Sequence, residues 1–199
     1  MSSQQTEPAG KPGRYQRSAV GLVTSLVVTV VAIGGLLYFM GVFRPDFETK
    51  PEAIDYLETV QSAQQAGLEP AYPPTLPDGW IATGVDIVPG DDPVFMLRLL
   101  TDDDRFVAVR LEDSSVGALL AAWVDEDTAE ADPYVVPDSV RSPVARDWEG
   151  YTDKGGDTAY AAEKGDATLL VFGSAPAEDL HTIIDRLVTA PVTGEEKKK

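Results

Sequence analysis

Cysteine is absent from the 199 residues. Disulfides, thiolate nucleophiles, Cys-ligated zinc and the acceptor thiol of a bacterial lipoprotein are therefore all excluded. Asparagine is missing as well, so there is no N-glycosylation acceptor, and the only histidine is His181. The chain also lacks Gly-x-Ser-x-Gly, Ser-x-x-Lys and a glycine-rich phosphate loop, the usual marks of hydrolases and transferases. Basic residues are scarce: 16 Lys and Arg face 33 Asp and Glu, for a net charge of -17. Nucleic-acid affinity rests on neutralising phosphates, so such a surface excludes a nucleic-acid binder.

What remains is a globular balance, 43% hydrophobic and 25% charged, with length for one domain and appendages. The charge is unevenly spread, because residues 1–45 carry +3 and the rest carries -20. Residues 19–43, AVGLVTSLVVTVVAIGGLLYFMGVF, run for 25 residues without a charge. As a helix they would extend about 37 Å, enough to cross a hydrocarbon core of ~30 Å. Tyr15, Tyr38 and Phe39 suit the interfaces, and Arg44-Pro45 marks the exit. A cleaved signal peptide is the competing reading, but the run is longer than a signal h-region and no Ala-x-Ala site follows it. We read an uncleaved signal-anchor in contact with membrane lipid. Lys11, Arg14 and Arg17 before the span favour a cytoplasmic N-terminus and an extracytoplasmic C-terminal domain at the cell membrane. Gly21-x-x-x-Ser25 is a small-residue pair of the kind that supports helix pairing, although such pairs are common by chance.

Residues 1–18 read as a disordered cytoplasmic tail. Residues 44–71 read as a membrane-proximal helix and linker, opened by Thr49-x-x-Glu52 as a capping box, with Ile54, Leu57 and Val60 on one face. The proline-rich stretch 69–79 is an extended entry to the domain. Strands follow at residues 80–88, 94–100 and 105–112, then a helix with Val116, Leu119, Leu120, Trp123 and Val124 on its core stripe. A polar interruption, 125–143, precedes strands at 145–152, 158–163 and 167–173. A last helix carries Leu180, Ile183, Ile184, Leu187 and Val188. Asp113-Ser114-Ser115 and Gly173-Ser174 suit the N-caps of the two helices. The expected fold is α+β: an antiparallel sheet with helices packed on it, in two strand-strand-strand-helix units, over residues 72–190, before a tail at 191–199. The two units read as one grammar used twice rather than as a duplication.

YPPTLPDGW, LTDDDRFVAVRLEDSS and the stretch from DWEGYTD to GDATLLVFGSAPAEDLHTIIDRL resemble, in this order, an uncharacterised actinobacterial membrane-anchored family, domain of unknown function 4245. The resemblance covers about residues 72–188, and the family's anchor corresponds to residues 19–43. It implies an extracytoplasmic mixed sheet with helices, and it brings no catalytic or binding residues.

The three aspartates of LRLLTDDDRFVAVRLED pose a choice between a metal site and a turn. Arg98 and Arg110 mark the even positions as the non-core face, so odd residues of the two strands must sit side by side. A three-residue loop at Asp102, Asp103 and Asp104 achieves this, pairing Leu99 with Val107, Leu97 with Val109 and Phe95 with Leu111. Asp104 then takes the left-handed conformation that Asp tolerates. A calcium site there lacks the order of an EF-hand loop. Asp91, Asp92, Glu112 and Asp113, roughly 20–30 Å away at ~3.3 Å per residue, form the better cation candidate, against a reading as helix caps and a solvated turn. The non-core face of the hairpin, with Met96, Arg98, Leu100, Phe106 and Arg110, suits a partner unless a helix layer covers it, which is the reading we favour. His181 and Asp185, one helical turn apart, read as a local surface pair.

These features point to a non-enzymatic binding or envelope-assembly module with a protein or envelope partner and no cofactor. The alternatives are a carboxylate-dependent glycan hydrolase, which needs two apposed carboxylates of raised pKa, and a cation-responsive module.

Overall fold

In the computed structural model the backbone is described for residues 19–39 and 51–192. The expected tails apart from Pro191 and Val192, the exit at Arg44 and Pro45, Thr49 of the capping box and the Gly21 and Ser25 side chains lie outside the described residues. Two compact units divide at Lys50 and Pro51. The first contains α1, Ala19–Phe39, 21 residues with no charge. Its described large apolar side chains, from Val23 through Val28, Val31 and Ile33 to Leu36, are 53–68% exposed. Among the described residues no helix is long and apolar enough to cross a membrane.

The second unit is built on a seven-stranded, wholly antiparallel sheet in the order β1-β2-β3-β7-β6-β5-β4. Its elements are α2 (Tyr56–Gln65), β1 (Ile81–Val88), β2 (Val94–Leu100), β3 (Phe106–Glu112), α3 (Val116–Trp123), β4 (Ala129–Val135), β5 (Asp147–Thr152), β6 (Thr158–Lys164), β7 (Ala167–Gly173) and α4 (Ala177–Ile184). Alternation of side chains assigns the sheet's two faces. One buries Phe95, Leu97, Leu99, Val107, Val109, Leu169 and Val171 beneath Leu180, Ile183 and Ile184 of α4 and Tyr56 and Val60 of α2. The other buries Met96, Ala108, Leu170 and Phe172 beneath Leu119 and Leu120 of α3. Two contiguous apolar clusters, each closed by a helix, supply the main stabilisation at about 25 cal/mol per Å² of apolar area buried.

The β2–β3 hairpin adopts the register that its charge pattern demands, with Phe95↔Leu111, Leu97↔Val109 and Leu99↔Val107. Its loop is residues 102–104, and Asp104 has φ +60°. Thr101 closes the turn: its N–H donates to the Arg105 carbonyl at 2.9 Å, and its hydroxyl accepts from the Arg105 N–H at 2.9 Å.

Four expectations need correction. The second of the two expected strand-helix repeats has four strands rather than three, because residues 129–135 in the supposed polar interruption form β4. This edge strand tolerates Pro133 because its register shifts between Ala131 and Tyr134. The helix expected from Thr49 begins instead at Tyr56, since the Ile54 N–H donates to the Ala82 carbonyl of β1 at 2.9 Å and so is not free for a helix. From Pro51 onward, the stretch expected as a linker belongs to the packed unit. Ser115 caps α3, its hydroxyl accepting from the Ala118 N–H at 3.3 Å, but Ser174 does not cap α4. The residue at that N-cap is Pro176, and the Ser174 hydroxyl accepts from the Phe106 N–H at 3.2 Å.

The halves meet at β3 and β7, with Val109 opposite Val171. Copies related by a two-fold axis through that pair would place both helices on one face. Because α3 and α4 lie on opposite faces, the two halves share a pattern without that symmetry.

Candidate functional site: the cleft between β5 and β6

The aspartate turn is structural. Asp102 packs against the turn that opens the domain: a Cβ added at Gly79, whose φ is +80°, would lie 2.8 Å from the Asp102 Cβ. Asp102 and Asp103 also approach the first turn of α4. There burial, then Asp103, Asp102 and Glu178, hold the Asp179 carboxyl above its ordinary value. Among the described residues no group of three or more His, Asp or Glu side chains is placed to hold a metal ion. Of the second acidic grouping, Glu112 is engaged by Arg110, whose Nε donates to it at 2.7 Å.

The hairpin face divides. Met96 and Arg110 are buried, with the Arg110 guanidinium 4.1 Å above the Trp123 ring and its Nη1 3.5 Å from the Met96 sulfur. Helix α3 therefore covers this half. Arg98, Leu100 and Phe106 are half-buried. Arg98 pairs with Asp86 and lies across Gly84, where a Cβ would meet its guanidinium. Phe106 packs edge-on against Phe172 with ring centroids 6.1 Å apart.

His181 is not a surface partner of Asp185. Its ring stacks on Tyr134 at 3.7 Å and 7°, with Tyr160 tilted at 4.7 Å. The Asp185 carboxylate instead accepts from the Tyr134 hydroxyl at 2.8 Å. Burial, then that hydrogen bond, raises the Tyr134 phenol to about 12. His181 Nε2 is buried without a hydrogen-bond partner. Burial pushes the imidazole below its ordinary value, and the Asp185 and Glu178 carboxylates oppose the shift only in part. A general base needs a lone pair open to substrate, and the buried Nε2 does not offer one. Tyr134 comes from the unexpected β4. The apolar triplet Tyr134-Val135-Val136 between Pro133 and Pro137 is the sequence feature that marks it.

The stretches that carry the family resemblance have structural roles. The Leu76-Pro77-Asp78-Gly79-Trp80 turn meets Asp102. Trp148 is buried, with its indole N–H donating to the Ala145 carbonyl at 3.2 Å. Gly173-Ser174-Ala175 crosses Phe106, where a Cβ on Gly173 would come within 2.0 Å of the Phe106 carbonyl oxygen. A family described as Protein of unknown function (DUF4245) matches residues 14–187. The chain belongs to this family. No match to a characterised protein accompanies it.

A cleft in this DUF4245 domain lies where its sheet ladder fails. β6 pairs with β7 along its whole length, from Thr158↔Gly173 to Lys164↔Ala167. On its other side it pairs with β5 only from Thr158↔Thr152 to Ala161↔Glu149. Beyond that point Asp147 and Trp148 follow β4, through Val135↔Asp147 and Tyr134↔Trp148, and part from Ala162 and Glu163. The result is a cleft of about 650 Å³. Tyr134, Trp148 and Ala162 supply apolar wall, while the exposed Asp147, Glu149 and Glu163 supply carboxylates. Arg146, also at the cleft, is occupied by the Val136 carbonyl and Asp138, each at 3.0 Å. Glu149 accepts from the Tyr151 hydroxyl at 2.7 Å, and burial followed by that bond raises the Tyr151 phenol to about 12. Sequence reasoning missed this cleft, because loss of pairing between two strands leaves no mark in either strand's own pattern.

Proposed function

We propose that the protein is a single-pass, membrane-anchored binding module of the cell envelope, with residues 19–43 in lipid and the acidic domain outside. The observation that carries this reading is the apolar surface of α1. Its described side chains at positions 23, 26, 27, 28, 30, 31, 33 and 36 point around the helix and are all exposed. Removing each from water is worth about 1.5–3 kcal/mol, and an all-round apolar helix has no polar face to give to solvent. The family match begins at residue 14 and so includes this helix. The basic residues before it favour the cytoplasmic N-terminus. Binding rather than catalysis is favoured by an imidazole committed to stacking and by an open cleft, the kind of feature on which ligand sites are built.

The absence of cysteine makes the test direct. Full-length Ser2→Cys and Lys154→Cys variants, expressed in a bacterial host, are exposed to a membrane-impermeant maleimide. Lys154→Cys is expected to label in intact cells and Ser2→Cys only after lysis. The opposite pattern overturns the orientation, and recovery of both variants in the soluble fraction overturns the anchor.

A further inference from the structure

We infer that the cleft between β5 and β6 accepts an extended cationic peptide segment, which pairs as a strand with the free margin of β6. The inference rests on the domain being a binding module and is independent of its membrane topology. Backbone N–H and C=O groups at a strand margin seek partners, and an added strand satisfies them whatever its side chains. Ala162, Glu163 and Lys164 have β7 on one side and no β5 partner on the other. This stretch therefore offers a strand margin inside the sheet, at the mouth of the cleft, rather than at the sheet's outer edge.

Side-chain chemistry then chooses the occupant. Asp147 lies opposite Val135, Glu149 opposite Ala161, and Glu163 two residues beyond Ala161 on the same strand. Side chains two apart on a strand share a face, so the three carboxylates line one side of the opening. Arg146, the cation at the cleft, is held by Val136 and Asp138. An incoming strand with Lys or Arg at alternate positions would direct its charges to these carboxylates and its small apolar residues between Trp148 and Ala162. An acidic strand would be repelled, by the cleft and by the surrounding acidic surface, since the chain after residue 45 carries -20.

The test uses the full-length protein and three peptides labelled with fluorescein at the N-terminus through a Gly-Gly spacer: Val-Lys-Val-Lys-Val-amide, its Glu counterpart, and the Lys peptide with alternate backbone amides N-methylated. Fluorescence anisotropy is expected to show binding of the first alone. Asp147→Lys/Glu163→Lys, two exposed substitutions whose fold is checked by the thermal melt, is expected to weaken that binding at least tenfold. Equal binding of the N-methylated peptide would reduce the interaction to charge attraction and overturn strand pairing. Equal binding by the folded double variant would overturn the site, and no binding of the Lys peptide at about 1 mM would overturn the proposal outright. Cysteine labelling reads the membrane topology separately, so failure here leaves that result standing.

Discussion

Replacing Gly150 by alanine tests how firmly the fold holds β4, the strand that carries Tyr134 to His181. A Cβ at this position would lie 2.2 Å from the Asp132 carbonyl oxygen and 2.9 Å from its carbon, both backbone atoms. An ordinary carbon–oxygen approach needs about 3.3 Å, so the bulged segment must retreat by roughly 1 Å. No side-chain rotation can relieve this contact. The retreat would strain the Tyr134 hydrogen bond to Asp185, worth about 1.5–3 kcal/mol for a charged acceptor. It would also disturb the stacking of Tyr134 on His181, worth about 0.5–1.5 kcal/mol by analogy with aromatic pairs. The expected loss is about 2–4 kcal/mol, or a Tm lowered by roughly 5–12 °C for a domain of this size. Gly117 is the matched control. It lies exposed in the first turn of α3, a Cβ there meets nothing within 4 Å, and alanine should stabilise by about 0.5 kcal/mol. Urea unfolding of the full-length chain, followed by tryptophan fluorescence, reads both variants. A Gly150→Ala protein within about 0.5 kcal/mol of the parent would refute the packing of β4 on β5.

Three further outcomes are expected. Because burial lowers the His181 pKa below its ordinary 6.5, the unfolded chain takes up the proton first as pH falls. Stability is therefore full above pH 6.5 and declines below it; His181→Phe should keep the stacking and flatten this part of the pH–stability curve, and an unchanged slope would exclude the imidazole as its source. Ser115→Ala removes the cap of α3 and should cost about 1 kcal/mol in urea unfolding, whereas Ser174→Ala removes no helix cap and should leave α4 intact by amide hydrogen exchange. Arg110→Glu places a carboxylate beside Glu112 beneath Trp123 and should destabilise by about 3–5 kcal/mol, while Arg98→Glu, whose ion pair is exposed, should cost about 1 kcal/mol or less; equal costs would mean that α3 does not cover this face.

Much of the fold was legible because it rests on local rules. Arg98 and Arg110 fixed the faces of two strands, and parity then forced the three-residue turn, its register and the left-handed Asp104. The stripe Val116, Leu119, Leu120 and the stripe Leu180, Ile183, Ile184 declared their helices by spacing. The six strands expected from apolar or alternating patterns were placed to within a residue or two. β4 was not, because AEADPYV has almost no apolar face of its own: an edge strand takes its order from β5 and leaves its outer side to water. The Thr49-x-x-Glu52 pattern misled for a similar reason, since a capping box is a local preference and the Ile54 hydrogen bond to β1 is a tertiary contact that overrides it.

By itself, then, the sequence determined the acidic character, the absence of thiol chemistry, the apolar segment at 19–43, the antiparallel α+β class and the central hairpin register. Each depends on composition or on neighbours close along the chain. Only the tertiary structure decided that α3 and α4 close opposite faces, that Arg110 is buried while Arg98 is not, that His181 belongs to Tyr134, and that β5 joins β6 only from Glu149 onward. Those outcomes depend on which distant segments meet. Such meetings are settled by the competition among all possible burials and pairings, not by the preference of any one stretch.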